Sequence, residues 1–178
     1  MLRQRIGVLA VGEAHMNAER RDEIERKYGK NLKVYYSKLP DKDNAAGVAF
    51  ILNRNITNTE NIQTYEITPG HAYVLEMYWH REEKVSILAI YAPNSDPAAN
   101  AQSWERIQEF YARNPRIRRP DFMIGDCNMV EEPLDRLPAR EEPGNVANAF
   151  DNLKRSLGLE DGWRNENPIT LAYTYHQK

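Results

Sequence analysis

The sequence predicts an α/β protein of the α+β kind, with two packed, mainly antiparallel sheets and helices on the outside. Three observations carry this. Apolar runs of strand length outnumber the amphipathic helical segments. Pairs of those runs are separated by short, breaker-rich turns, which makes hairpins and therefore antiparallel pairing. The helical stretches fall between groups of hairpins rather than between single strands, which argues against a Rossmann arrangement and for sheets covered by helices. With 178 residues, 41% hydrophobic and 28% charged, the chain has the size and composition of one folded domain, read as residues 1–178.

The elements follow in order. Residues 6–11 (IGVLAV) are a compact apolar run and predict a buried strand, with a loop at 12–16. The basic start before that run resembles a leader, but the run is short and meets Glu13 and His15 at once, so a strand is expected. Asn17 can cap a helix over AERRDEIERKY, with Ala18, Ile24 and Tyr28 on one face and Gly29 at C′. Residues 32–36 predict a short strand, 40–44 a turn and 47–53 another strand. The runs 63–68 and 71–78 flank Pro69-Gly70 as a hairpin, 81–84 turn again, and 85–91 form the next strand. Asp96 can cap a helix that tolerates Pro97 in its first turn, with Trp104, Ile107 and Tyr111 as its apolar stripe. A basic linker at 115–120 leads to a short buried strand at 122–124, which ends in GDCN. Residues 131–143 read as a charged, proline-bearing loop, and Val146, Ala149, Phe150, Leu153 and Leu157 mark an amphipathic helix. Residues 159–163 and 172–175 read as two more short strands.

A net charge of −2 excludes holding DNA by bulk electrostatics. Local patches or a bound cation would have to supply the positive charge. Cys127 is the single cysteine, so no internal disulfide forms, and the chain fits a reducing, intracellular compartment, nucleus or cytoplasm. No apolar run approaches a membrane span, so no membrane partner is expected.

Four loops follow apolar strands and carry chemistry: Glu13-Ala14-His15, Tyr91-Ala92-Pro93-Asn94, Asp126-Cys127-Asn128, and the stretch 173–176. Glu13, Asp126 and Asn128 offer only oxygen donors, which suits Mg²⁺ or Mn²⁺ completed by water. A thiolate is too soft for such an ion, and alternation along extended backbone directs Cys127 away from its two neighbours. Each feature alone also has an ordinary explanation: a solvated Glu, an Asx turn, a packing Tyr. The histidines (15, 71, 80 and 176) show no metal spacing, and three of them read as surface or packing residues. Arg113, Arg116, Arg118 and Arg119 read as a solvated face, roughly 15–20 Å from Asp126 at about 3.3 Å per strand residue.

The joint order of the motifs is more specific. IGVLAVGEAH resembles the first signature of the endonuclease/exonuclease/phosphatase superfamily, a hydrophobic strand leading into Gln-Glu-Thr-His. IYAPN (90–94) is similar to its Tyr-x-Pro-Asn loop, and PDFMIGDCN (120–128) to its Gly-Asp-Phe-Asn loop. EEPLDRLPAR, LGLEDGWRNENP and AYTYHQ resemble the endonuclease domain of fungal LINE-type non-LTR retrotransposons. The resemblance runs along nearly the whole chain, with the motifs in family order. It implies a DNase I-like four-layer α/β/β/α sandwich and hydrolysis of DNA phosphodiesters with Mg²⁺ or Mn²⁺. By that resemblance Glu13 binds the metal, and Asp126 orients and helps deprotonate the attacking water. Asn128 contacts the scissile phosphate and positions Asp126, while Tyr91 stabilises charge on the phosphate or leaving oxygen. Asn94 supports the phosphate-binding loop, and His15 belongs to the substrate-binding set.

The sequence departs from the family pattern at Gly12, where Gln is usual, at Ala14, where Thr is usual, and at Cys127, which replaces an aromatic. Nothing before Ile6 supplies the family's Asn-bearing strand, and the Ser-x-x-Asp strand and Asp-His pair do not precede His176-Gln177-Lys178. The resemblance therefore predicts a sandwich incomplete at its N- and C-terminal strands and weak or absent activity. It also predicts exposed sheet edges able to pair two copies as a homodimer. Two alternatives stand beside the nuclease: a phosphatase of the same superfamily, and a non-catalytic retroelement remnant or binding module.

Overall fold

The computed structural model describes residues 1–40, 42, 45–80 and 82–173. The expected turns at 40–44 and 81–84, the strand at 172–175 and the fourth loop at 173–176 lie partly outside these residues. Residues 172 and 173 themselves have no regular structure.

Strands β1 (Val8–Gly12), β2 (Leu32–Ser37) and β3 (Val48–Asn53) form one antiparallel sheet in the order β1-β3-β2. Strands β4 (Gln63–Thr68), β5 (Ala72–His80), β6 (Glu83–Tyr91) and β7 (Phe122–Asp126) form the second in chain order. Its first two pairings are antiparallel; β6 and β7 are parallel. The parallel step departs from the all-hairpin expectation. Its cause is the crossover helix α2 (Pro97–Arg113), which returns the chain to the same end of the sheet.

Alternation along the strands builds two cores. Val48, Phe50 and Leu52 on β3 face Tyr73, Leu75, Met77, Val85, Ile87 and Ala89 of the second sheet. The opposite face of that sheet, with Ala72, Val74, Leu88 and Ile90, packs on α2 and on α3 (Gly144–Leu157). Trp104 is fully buried there and meets Phe150 edge to face at 4.9 Å. Burying each such ring contributes about 2–3 kcal/mol. Helix α1 (Ala18–Tyr28) lies over β2, so the layers run α/β/β/α.

Several local expectations need correction. The 6–11 run is a half-buried edge strand starting at Val8, since β1 has a neighbour on one side only. The Ala18, Ile24, Tyr28 stripe is not buried: α1 buries no residue and Tyr28 is 51% exposed. Its turns are dominated by charge, and the Asn17 cap on the Arg20 N–H (2.9 Å) helps hold its start. Gly29 ends that helix in right-handed geometry, bonded to the Glu25 carbonyl at 2.7 Å, rather than as a left-handed C′ residue. Strand β7 is exposed rather than buried, with Phe122 58% and Ile124 39% exposed, because it is the sheet's edge. In place of a strand at 159–163, Asp161 caps the short helix α4 (Gly162–Glu166) by accepting from the Arg164 N–H at 2.9 Å. Among the described residues no helix is long and apolar enough to cross a membrane.

Candidate active site

The C-terminal ends of β1, β6 and β7 meet at one end of the sandwich. Tyr91 closes β6 and is the register partner of Asp126, which closes β7. The Tyr91 hydroxyl donates a short hydrogen bond to Glu13 Oε1, across from the end of β1. Gly12 lies beside the ring, and a Cβ at that position would make only an ordinary contact, 3.6 Å from Tyr91 Cδ2. The hydrogen bond to Glu13, then burial, then the charges of Glu13 and Asp126 push the Tyr91 phenol up to about 12. Glu13, Tyr91 and Asp126 are therefore within electrostatic reach of one another.

The Asp126-Cys127-Asn128 tip is fastened to the strand end beside it. The Ala92 N–H donates to the Asp126 carbonyl (2.8 Å), and Asn128 Nδ2 donates to the Ala92 carbonyl (2.7 Å). The Asn128 N–H donates to Asp126 Oδ1 at 2.9 Å, the local Asx turn that the residue types suggest. Cys127 packs against the helix-side core, as alternation predicts, and burial pushes its thiol up to about 12. Gly125 makes the parallel approach possible: at φ +138°, a Cβ there would fall 1.9 Å from the Ile90 carbonyl oxygen.

The loop carrying Glu13 is held as firmly. The Ala14 and His15 N–H groups donate to the carbonyls of Gly47 (3.0 Å) and Ala46 (3.3 Å). The Gly47 N–H donates to Gly70 O at 3.0 Å, and the Gly70 N–H to the buried Ser37 hydroxyl at 2.7 Å. Glu13, His15 and Asn128 are non-glycine residues with φ near +48°, +44° and +48°. Such left-handed backbone costs free energy and persists only where the surroundings over-determine it, a pattern that clusters at functional sites.

The remaining expected residues are near but less engaged. Asn94 is exposed beside Asn128 in a cleft of about 190 Å³, which Arg136, Arg140 and Glu142 also line. His15 is half-buried one residue beyond Ala14, and no side-chain hydrogen bond of its own is seen among the described residues. The arginines at 113 and 118 pair with Glu109 and Asp121; Asp121 adjoins the start of β7, the end opposite Asp126.

Two residues escaped the sequence reading. His71 donates from Nδ1 to the Tyr91 carbonyl (2.7 Å) and stacks on the Tyr91 ring at 6.1 Å. Asn100, buried in the first turns of α2, donates from Nδ2 to the carbonyls of Pro93 and Cys127, both at 3.0 Å. Their partners are backbone carbonyls or a ring reached through the fold, so no spacing in the sequence announces them.

The donor chemistry at these tips is two carboxylates and an amide, all oxygen, which fits a hydrated Mg²⁺ or Mn²⁺ held by one or two carboxylates. It does not form a dedicated cage: among the described residues no group of three or more His, Cys, Asp or Glu could hold a metal.

No family model matches the sequence, and no curated protein matches it. Solved structures do match its fold. The AP endonuclease LMAP from Leishmania major superposes with a TM-score of 0.69 at 14% identity, over 95% of this chain and 62% of that one. The human Nocturnin catalytic domain gives 0.59 at 11% identity, over 96% and 65%. An endonuclease/exonuclease/phosphatase family protein from Bacteroides thetaiotaomicron gives 0.53 at 9% identity, over 85% and 55%. The chain thus has the DNase I-like fold and spans less than two thirds of the length of each of these structures.

Proposed function

We propose that this chain is a divalent-metal-dependent phosphodiesterase acting on DNA, derived from the endonuclease domain of a fungal LINE-type retroelement. The observation that carries the reading is the convergence of Glu13 and Asp126 on Tyr91, from the ends of three strands, with Asn128 tied to the Asp126 carboxylate. The retroelement origin is supported by the sequence segments EEPLDRLPAR and LGLEDGWRNENP.

Phosphodiester hydrolysis builds negative charge on the phosphate oxygens and on the leaving oxygen. Asp126 spends one carboxylate oxygen on the Asn128 N–H, and its other oxygen accepts from a water and takes its proton as the water attacks. Asn128, with Nδ2 anchored on Ala92, presents its remaining amide hydrogen to a phosphate oxygen. Tyr91 stays protonated across the physiological range and is a donor to the developing charge once Glu13 releases it. Glu13 is the proposed metal ligand; a bound Mg²⁺ or Mn²⁺ supplies charge stabilisation at the phosphate. Asn94 and His15 flank the substrate.

The test is nicking of supercoiled plasmid in Mg²⁺ or Mn²⁺, with Asp126→Ala as control. Slow nicking that the control loses by two or more orders of magnitude is expected. Equal rates in both proteins refute the assignment. A second reading, a non-catalytic DNA-binding module, draws on the missing third metal-ligating group among the described residues. Retention of plasmid without nicking would select it.

A further inference from the structure

We infer that Asn100 is a positioning residue that fixes the spacing between the Tyr91-to-Asn94 loop and the Asp126-to-Asn128 loop, an inference that rests on the phosphodiesterase reading of those loops. Asn100 is 4% exposed, and its side chain uses its full donor capacity. One Nδ2 hydrogen goes to the carbonyl of Pro93, the residue before Asn94, and the other to the carbonyl of Cys127, the residue before Asn128; both distances are 3.0 Å. The orientation of the amide is forced. Trp104 Nε1 is a donor only, and it lies 2.7 Å from the amide's other polar atom, which must therefore be Oδ1. Asn100 itself sits on the buried face of α2, so the helix backbone and the two Nδ2 bonds hold the amide in place.

The strands do not need this clamp to pair. Register between β6 and β7 and the Ala92-to-Asp126 hydrogen bond already join them. What Asn100 adds lies past the strand ends, where no ladder constrains the chain and where Asn128 sits at a strained φ of +48°. No other side chain reproduces the arrangement. Asp keeps the acceptor for Trp104 but sets a carboxylate against two carbonyl oxygens, Gln is a methylene too long, and Ala leaves both carbonyls without this donor.

The test compares Asn100→Asp and Asn100→Ala with Trp104→Phe, which removes the indole donor but keeps both Nδ2 bonds. Two readouts are taken below every melting temperature: plasmid nicking, resolved into kcat and KM, and the ¹H–¹⁵N resonances of the Asn94 and Asn128 backbone amides. The Asn100 variants are expected to lose about 10- to 100-fold in kcat with KM nearly unchanged. They should also move both amide resonances, while Trp104→Phe keeps kcat within about threefold and leaves them in place. Asn100→Ala carries the comparison if the buried carboxylate of Asn100→Asp prevents folding. Losses of kcat that simply track melting temperature across all three variants, or unmoved amide resonances in the Asn100 variants, overturn the inference. A parent chain without nicking counts against the phosphodiesterase reading alone, because the amide resonances still decide whether Asn100 sets both loops.

Discussion

Replacing Glu13 by Gln separates the two groups that meet most closely at the strand ends. In the native protein the Tyr91 phenol is held protonated up to about 12, first by its hydrogen bond to Glu13 and then by burial and the nearby carboxylates. A free tyrosine ionises near about 10. Two units are a hundredfold in population: at pH 10 about half of a free phenol is ionised, against roughly 1% of Tyr91. Gln keeps an acceptor but removes the charge, so the Tyr91 value falls back toward the ordinary one. The assay is phenolate absorbance near 295 nm, read as the difference between each protein and its Tyr91→Phe counterpart, which isolates one of the 10 tyrosines. The sign of the linked stability follows. A value raised in the folded state gives a contribution fully present below about pH 10. That contribution is lost as the pH rises through about 12. The site is close to solvent, so its worth is nearer 1 kcal/mol than the full two-unit equivalent. Saturating Mg²⁺ or Mn²⁺ should lower the Tyr91 value in the parent but not in Glu13→Gln, because a cation on that carboxylate removes both charge and acceptor. A parent Tyr91 that ionises like a free tyrosine, or a Glu13→Gln protein that titrates like the parent, refutes the contact.

Other perturbations test the frame around the site. Gly125→Ala drives a Cβ into the Ile90 carbonyl oxygen at a positive φ, so it should cost on the order of 3 kcal/mol; an unchanged melting temperature would contradict the close β6–β7 approach. Asp121 is held below its ordinary value chiefly by the Arg118 hydrogen bond, with the Ser86 N–H bond adding to it. A depressed value gives stability present above the unfolded pKa of about 3.9 and lost as pH falls through the folded one. Asp121→Asn should therefore cost about 1 kcal/mol at neutral pH and flatten the acid limb of the stability curve, and parallel acid limbs would count against it.

Much of the fold was legible because strand and helix periods are written in side-chain hydrophobicity. The continuous apolar run at 48–52 marks a buried strand, and the stripe of Trp104, Ile107 and Tyr111 marks a buried helix face. Exposure was less legible. Phe122 and Ile124 have the apolarity of a central strand, yet β7 is an edge, and neighbours rather than residue type decide that. The same limit applies to Tyr28, which α1 leaves in solvent. At 159–163 apolar residues suggested a strand, while the capping ability of Asp161 before Gly162 was the stronger local signal.

By itself the sequence determined the residue types at the strand ends: the acid at position 13, the Tyr-Ala-Pro-Asn turn and the Asp-Cys-Asn tip. It also determined the order in which they arrive, because strands and turns are specified over a few neighbouring residues. Only the tertiary structure decided that Tyr91 reaches Glu13 across 78 residues of chain and that His71 and Asn100 serve the same loops. Of those contacts the first joins two side chains brought together by sheet packing, and the others run to backbone carbonyls. They exist only when the two sheets and the helical layer pack together, and composition and spacing carry no trace of them.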